Sequence, residues 1–189
     1  SASKSGPAGI PVLQKHYPDI VFRRKDYCYM PSYDIDIAYA YRNKGVLRNL
    51  GGYVSALRYG NFKEIARRNR VLFDGEKDPY DTYEWQLQLH KKYDLRPIYF
   101  FLVGEYGVYD KNIPLANLKF QELIQSIGDY FEVGIHPSYQ SNEKKKILAQ
   151  EIENLSAVLK KRIDQSRQHY VKLTIPQTYQ NLIELDVRE

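Results

Sequence analysis

The run Ile98-Tyr99-Phe100-Phe101-Leu102-Val103 is the strongest constraint the sequence places on its fold. A strand that is apolar at every position has no face to turn to water, so it suits a parallel sheet covered by helices on each side. Its flanks agree. Upstream, Asp78 is placed as an N-cap with Pro79 at the first helical position, and the helix is expected to run to residue 93. Downstream, residues 104–114 read as a loop. A helix follows over 115–129, with Phe120, Leu123, Ile124 and Ile127 on one face. Residues 131–136 form the next strand. Asn142 is expected to cap a helix to 163, whose stripe is Ile147, Leu148, Ile152, Leu155, Val158 and Leu159. A strand-like stretch follows over 165–173, and Pro176 opens a last helix to 185. Before all of these lie a strand over 31–37 and helical stretches over 38–57 and 62–72, interrupted by Gly45, Gly51-Gly52 and Gly60.

Strands alternating with helices imply an α/β fold with parallel strands and right-handed crossovers. Four strands are too few to close a barrel, which usually takes about 250 residues. The sheet is therefore either open or a portion of a (β/α) barrel. Residues 1–29 read as a lead-in, with a short edge strand at Ile20-Val21-Phe22, and residues 30–189 as the α/β domain.

Composition narrows the classes of partner. Cys28 is the single cysteine, so neither an internal disulfide nor a thiolate metal cage is possible within the chain. No apolar run approaches the roughly 20 residues that span a bilayer. The stretch Ser1-Ala2-Ser3-Lys4-Ser5-Gly6-Pro7-Ala8-Gly9 lacks an apolar signal core, which points to a cytoplasmic location. The 18 tyrosines suit a wet or sugar-facing surface, although ordinary core and strand positions account for most of them. Charge is uneven: residues 37–73 hold eight Lys and Arg against Glu64 alone, a net of +7 in a chain whose total is +5. Such a segment can meet phosphates, acidic lipid headgroups or anionic polymers, or can be a solvated face. It matches no nucleic-acid-binding motif, and nucleic acid is not expected as a partner.

Chemistry gathers where parallel strands end. The first strand carries Asp34 and Asp36, which period two places on one face. Neighbouring like charges are costly and call for a counter-charge. The third strand ends at His136, and the fourth offers Arg167 and His169, again two apart. The second strand end offers no obvious catalytic group, and His90 on its helix reads as structural. A carboxylate with one or two imidazoles can hold a zinc-like cation with open positions for water. A second carboxylate can take that water's proton, and an arginine can orient the carboxylate. Alternatively, Arg167 alone balances both aspartates as a structural ion cluster. No glycine-rich phosphate loop, nucleophile elbow or HExxH is present.

These residues lie in stretches that together resemble the polysaccharide deacetylases of the NodB-homology group, and more closely a bacterial polysaccharide-deacetylase-like branch. The stretches are Pro31-Ser32-Tyr33-Asp34-Ile35-Asp36, Asp78-Pro79-Tyr80-Asp81-Thr82-Tyr83-Glu84-Trp85, Pro97-Ile98-Tyr99-Phe100-Phe101-Leu102, Val133-Gly134-Ile135-His136-Pro137-Ser138-Tyr139 and Ser166-Arg167-Gln168-His169-Tyr170. The resemblance implies a distorted (β/α) barrel, a divalent metal, often zinc, and removal of N-acetyl groups from a polysaccharide. It implies Asp34 as catalytic base, Asp36 and His136 as metal ligands, and Arg167 as the arginine that steadies the base. The family's second motif carries another histidine four residues after the first, where this chain has Gln140. His169 is the candidate replacement, ahead of Ser138, Ser141 or water. The histidine that acts as general acid in the family has no match before Glu189, so the barrel is expected to be incomplete at its C-terminal end. The alternative to an enzyme is a glycan-binding or scaffolding protein whose metal site has decayed.

Overall fold

A computed structural model describes residues 13, 15–18 and 27–187. The edge strand expected at Ile20-Val21-Phe22 lies outside the described residues. Three parallel strands form one sheet in chain order: β1 (Ser32–Ile35), β2 (Ile98–Phe101) and β3 (Glu132–Ile135). Between β1 and β2 come α1 (Val46–Arg58), α2 (Phe62–Leu72) and α3 (Tyr83–Lys92). Helix α4 (Leu118–Gly128) connects β2 to β3, and α5 (Lys145–Leu159) and α6 (Gln177–Glu184) follow. The chain is thus α/β with parallel strands, and no closed barrel forms among the described residues. Nor is any helix among them long and apolar enough to cross a membrane.

The register places Asp34 opposite Phe100 and Phe100 opposite Gly134, with Ile35, Phe101 and Ile135 in the next row. Side chains alternate across the sheet, so Tyr33, Ile35, Tyr99, Phe101, Val133 and Ile135 share one face. That face packs with Phe120, Ile124 and Ile127 of α4, Leu155 of α5, Tyr83 of α3 and Ile163. The i, i+4, i+7 spacing in α4 puts its three residues on one stripe, and Asn117 caps the helix by accepting from the Phe120 N–H at 3.2 Å. Among the described residues the helices that meet the sheet do so on this face, whereas the apolar run suggested helices on each side. On the other face Phe100 is covered by the Arg167 guanidinium, 4.5 Å above its ring. An aromatic face accepts a cation, so an apolar residue here does not require an apolar neighbour.

Four further expectations change. Asp78 does not cap α3; its carboxylate accepts from the backbone N–H groups of Ala40, Tyr41, Arg42 and Tyr80 at 2.7–3.0 Å, and Thr82 stands at the helix N-terminus. The helix expected from residue 38 starts at Val46, because residues 40–42 are held by Asp78 and the backbone turns through Asn43 (φ 61°) and Gly45 (φ 79°). Asn142 is buried in a 3-10 turn (Ser141–Glu143), where it accepts from the Thr178 hydroxyl, and α5 ends at Lys160 with φ 54° instead of reaching 163. The stretch 165–173 is not a strand. It makes one parallel bridge, Ser166 to Ile135, then leaves through a 3-10 turn (His169–Val171) in which Tyr170 and Val171 have φ 57° and 52°. Positive φ at a β-branched valine is sterically costly, and strain of this kind clusters at functional sites.

Candidate metal centre

Backbone pairing carries one residue past the strand ends. Leu102 N–H donates to Ile35, His136 N–H to Phe101 and Arg167 N–H to Ile135. Asp36, Leu102, His136 and Arg167 therefore occupy equivalent positions across the C-terminal edge, on the same face as Asp34 and Phe100. Two reaches across this edge build the site. Asp36 approaches His136, with Oδ1 3.2 Å from Nε2. Arg167 turns back over the Phe100 ring, donating from Nη1 to Asp34 Oδ1 at 3.0 Å and from Nη2 to Ser32 Oγ at 2.7 Å. Gly134 makes room for this. A Cβ there would come within 2.6 Å of the Phe100 ring and 2.8 Å of the Gln165 carbonyl oxygen.

His169 completes a triangle. Its Nδ1 is 2.9 Å from His136 Nε2 and 3.5 Å from Asp36 Oδ1. Two ligands held at about 2.0–2.1 Å by a tetrahedral zinc stand about 3.3 Å apart. Edges of 2.9, 3.2 and 3.5 Å thus match one triangular face of such a site, which leaves the fourth position open. The tautomers fit as well. A backbone carbonyl can only accept, so His136 Nδ1, 2.5 Å from the Arg167 oxygen, carries the proton and Nε2 keeps its lone pair. His169 Nε2 is buried with no hydrogen-bond partner and faces the Asp110 carboxylate at 3.8 Å. With its proton on Nε2, His169 directs a lone pair from Nδ1 toward Asp36 and His136. Both histidines are buried, while the Asp36 side chain is 50% exposed, so the open side faces solvent. Without an ion, a proton on His136 Nε2 can instead donate to Asp36, and that hydrogen bond, with the charges of protonated His136 and His169, lowers the Asp36 carboxyl pKa against the opposing effect of burial.

All five expected residues meet here, as a pair, Asp34 with Arg167, and a triad, Asp36 with His136 and His169. Arg167 is thus committed to Asp34, whereas Asp36 is answered by imidazoles, which differs from one cluster balanced by Arg167 alone. Gln140, at the position where the resembled family has its second histidine, is exposed and outside the triad.

The second strand end does contribute a group. Asp110, in the loop after β2, is 1% exposed and its carboxylate accepts from the Tyr139 N–H at 3.0 and 3.2 Å. It ties that loop to the turn after His136 while facing His169. The usable signal was a carboxylate in a loop at the reactive end of a parallel sheet. Glu151 of α5 braces the same turn from behind, accepting from the Ser138 N–H at 3.1 Å. Burial raises its pKa against the lowering effect of Ser138 and Ser141. Beside the triad the Tyr109 and Tyr139 rings stack at 4.1 Å, and Tyr170 meets both edge-on, 4.3 Å from the His169 ring.

Searches against protein-family models, curated proteins and solved structures find no match to this chain.

Proposed function

We propose that the chain carries the metal centre of a hydrolase that removes N-acetyl groups from a sugar polymer, on an arc of a distorted (β/α) barrel. The observation that carries this reading is the Asp36–His136–His169 triangle, whose edges and tautomers suit a tetrahedral divalent ion such as zinc with an open position. When bound, the ion supplies Lewis acidity, making water a nucleophile near neutral pH and polarising a carbonyl.

The chain's own residues supply the rest. Asp34 accepts the proton of the attacking water as its oxygen bonds to the acetyl carbon. Arg167 engages Asp34 Oδ1 and balances its charge, which leaves Oδ2 to receive the proton. The amide C–N bond then breaks, the sugar nitrogen takes the proton that Asp34 received, and acetate and a free amine result. The exposed faces of Tyr109 and Tyr170 next to His169 offer apolar surface with a polar rim, which suits sugar rings.

Titration calorimetry with zinc tests the reading, alongside acetate release from N-acetylglucosamine oligomers by the whole protein. Saturable binding is expected, lost in His136→Ala, with acetate release abolished by chelator and reduced about 10²–10⁴-fold by Asp34→Asn. Absence of zinc binding, or release that persists in chelator, would remove it.

A further inference from the structure

Helices α1 and α2 lie outside the metal centre and carry most of the +7 segment. In α1, Val46, Leu50, Val54 and Leu57 recur at i, i+4, i+8 and i+11 with Leu47 beside them, and so share one arc of roughly 100°. These five residues are 57–84% exposed, while the opposite side of the helix buries Ala56. An apolar arc of that width is what normally packs a helix onto a core. Among the described residues, nothing covers it.

A three-residue connection, residues 59–61, folds helix α2 back against α1. Tyr53 donates to Asn69 Oδ1 at 2.5 Å, Arg68 donates to Asn49 Oδ1 at 2.8 Å, and a Cβ on Gly52 would collide with the Arg68 guanidinium. Counting around each helix from this seam brings the α1 arc to the same side of the pair as Phe62, Lys63 and Arg70 of α2. Phe62 is 69% exposed, Lys63 is exposed, and Arg70 pairs with Glu76.

On the other edge of the arc, Leu47 borders a groove of about 460 Å³ lined also by Lys44, Arg48, Arg68 and Tyr106. Arg68 is buried and its Nε–H has no acceptor. Burial, and then the neighbouring Arg48, push the Lys44 pKa down to about 8, a cost that an anion in the groove would relieve. The segment's one carboxylate, Glu64, is already engaged by Arg68 and the Tyr41 hydroxyl.

We propose that the α1–α2 hairpin docks on an anionic lipid surface, with the apolar arc in the acyl boundary and a headgroup phosphate in the Lys44–Arg48–Arg68 groove. The order of surfaces argues for lipid. An apolar ridge with cations along both edges meets apolar and anionic layers together at a bilayer surface, whereas a protein partner would need carboxylates flanking an apolar trough on both sides.

Co-sedimentation with vesicles tests this, comparing phosphatidylcholine alone with phosphatidylcholine mixed with phosphatidylglycerol. The chain is expected to sediment with the mixed vesicles only, and binding should fall as salt rises. The double variant Leu50→Glu, Val54→Glu should weaken binding roughly tenfold or more, and Lys63→Glu should weaken it several-fold. His136→Ala should bind as the wild type does. The proposal is overturned if the wild type ignores anionic vesicles, or if Leu50→Glu, Val54→Glu binds them as well as wild type. It is equally overturned if sedimentation velocity shows a dimer that this variant dissolves while vesicles are not bound, since the occupant would then be a second copy.

Discussion

On the open face of the sheet, charges are answered from within the chain. Asp34 has Arg167, Asp36 has His136 and His169, and His169 faces Asp110. On the α1–α2 hairpin part of the surplus is left outward, as five exposed aliphatic side chains bordered by Lys44 and Lys63, while Arg48 is answered by the Lys111 and Asn112 carbonyls. The contrast separates two kinds of ligand. Groups that converge within 3.5 Å leave room for one small ion, whereas an arc three turns long calls for an extended apolar surface. Asp78 joins the two regions. It holds residues 40–42, the backbone between the Asp36 bend and the start of α1.

The largest effect should therefore come from Asp78→Ala, which leaves four N–H groups without their acceptor. Each orphaned buried donor costs about 1–3 kcal/mol, and partial solvation of some of them brings the expected loss to about 3 kcal/mol in urea unfolding. Burial raises the Asp78 pKa, but bonds from Arg42, Tyr41, Ala40 and Tyr80 outweigh it and leave the group below its ordinary value. A carboxyl with a depressed folded pKa stabilises fully above about pH 3.9 and loses that contribution as pH falls through the folded value. Asp78→Asn should accordingly show a flatter acid limb than wild type. Both zinc affinity and vesicle binding should weaken in folded Asp78→Ala. Loss of only one would show that the two regions are not tied through this clamp.

Much of the sheet face was legible because period two and parallel register act locally. Asp34, Asp36 and His136 fall where alternation puts them, and the helical stripe of α4 is buried as its spacing requires. Asp78 was not legible. An aspartate before a proline satisfies the capping pattern, but here more N–H groups are available to it from residues 40–42 than from its own helix. His169 arrives at its site for a different reason than strand alternation. The bridge at Ser166 sets Arg167, and the left-handed turn at Tyr170 and Val171 then sets His169. Asp110 depends on how a loop folds over the end of β2, which no periodicity encodes. The exposure of the α1 arc was equally hidden, since an amphipathic pattern predicts a buried face and does not name what buries it.

A smaller effect is expected from Asp110→Asn. Loss of a carboxylate behind a ligating histidine typically costs 10–100-fold in metal affinity, about 1.4–2.7 kcal/mol. Zinc titration of this variant should show that loss, while vesicle binding stays at the wild-type level because Asp110 touches only the turn after His136 and the His169 ring. Unchanged zinc affinity would mean that the His169 tautomer is set without Asp110, and that the internal balancing of charge stops at the triad.

The smallest effect tests the other side of the comparison. If the α1 arc is free in the isolated chain, Leu50→Gln removes no packing, and its change in unfolding free energy should stay within about 0.5 kcal/mol. Ala56→Asp, on the opposite side of the same helix, places a carboxylate where Ala56 is 7% exposed, and should cost about 2 kcal/mol or more. Helix propensity alone differs little among these residues, so the gap between the two variants reports which side the chain itself covers. A Leu50→Gln cost as large as that of Ala56→Asp would mean that another part of the chain packs on the arc in solution. The hairpin would then be closed from within, as the sheet face is, and the lipid surface would have no apolar ridge to receive.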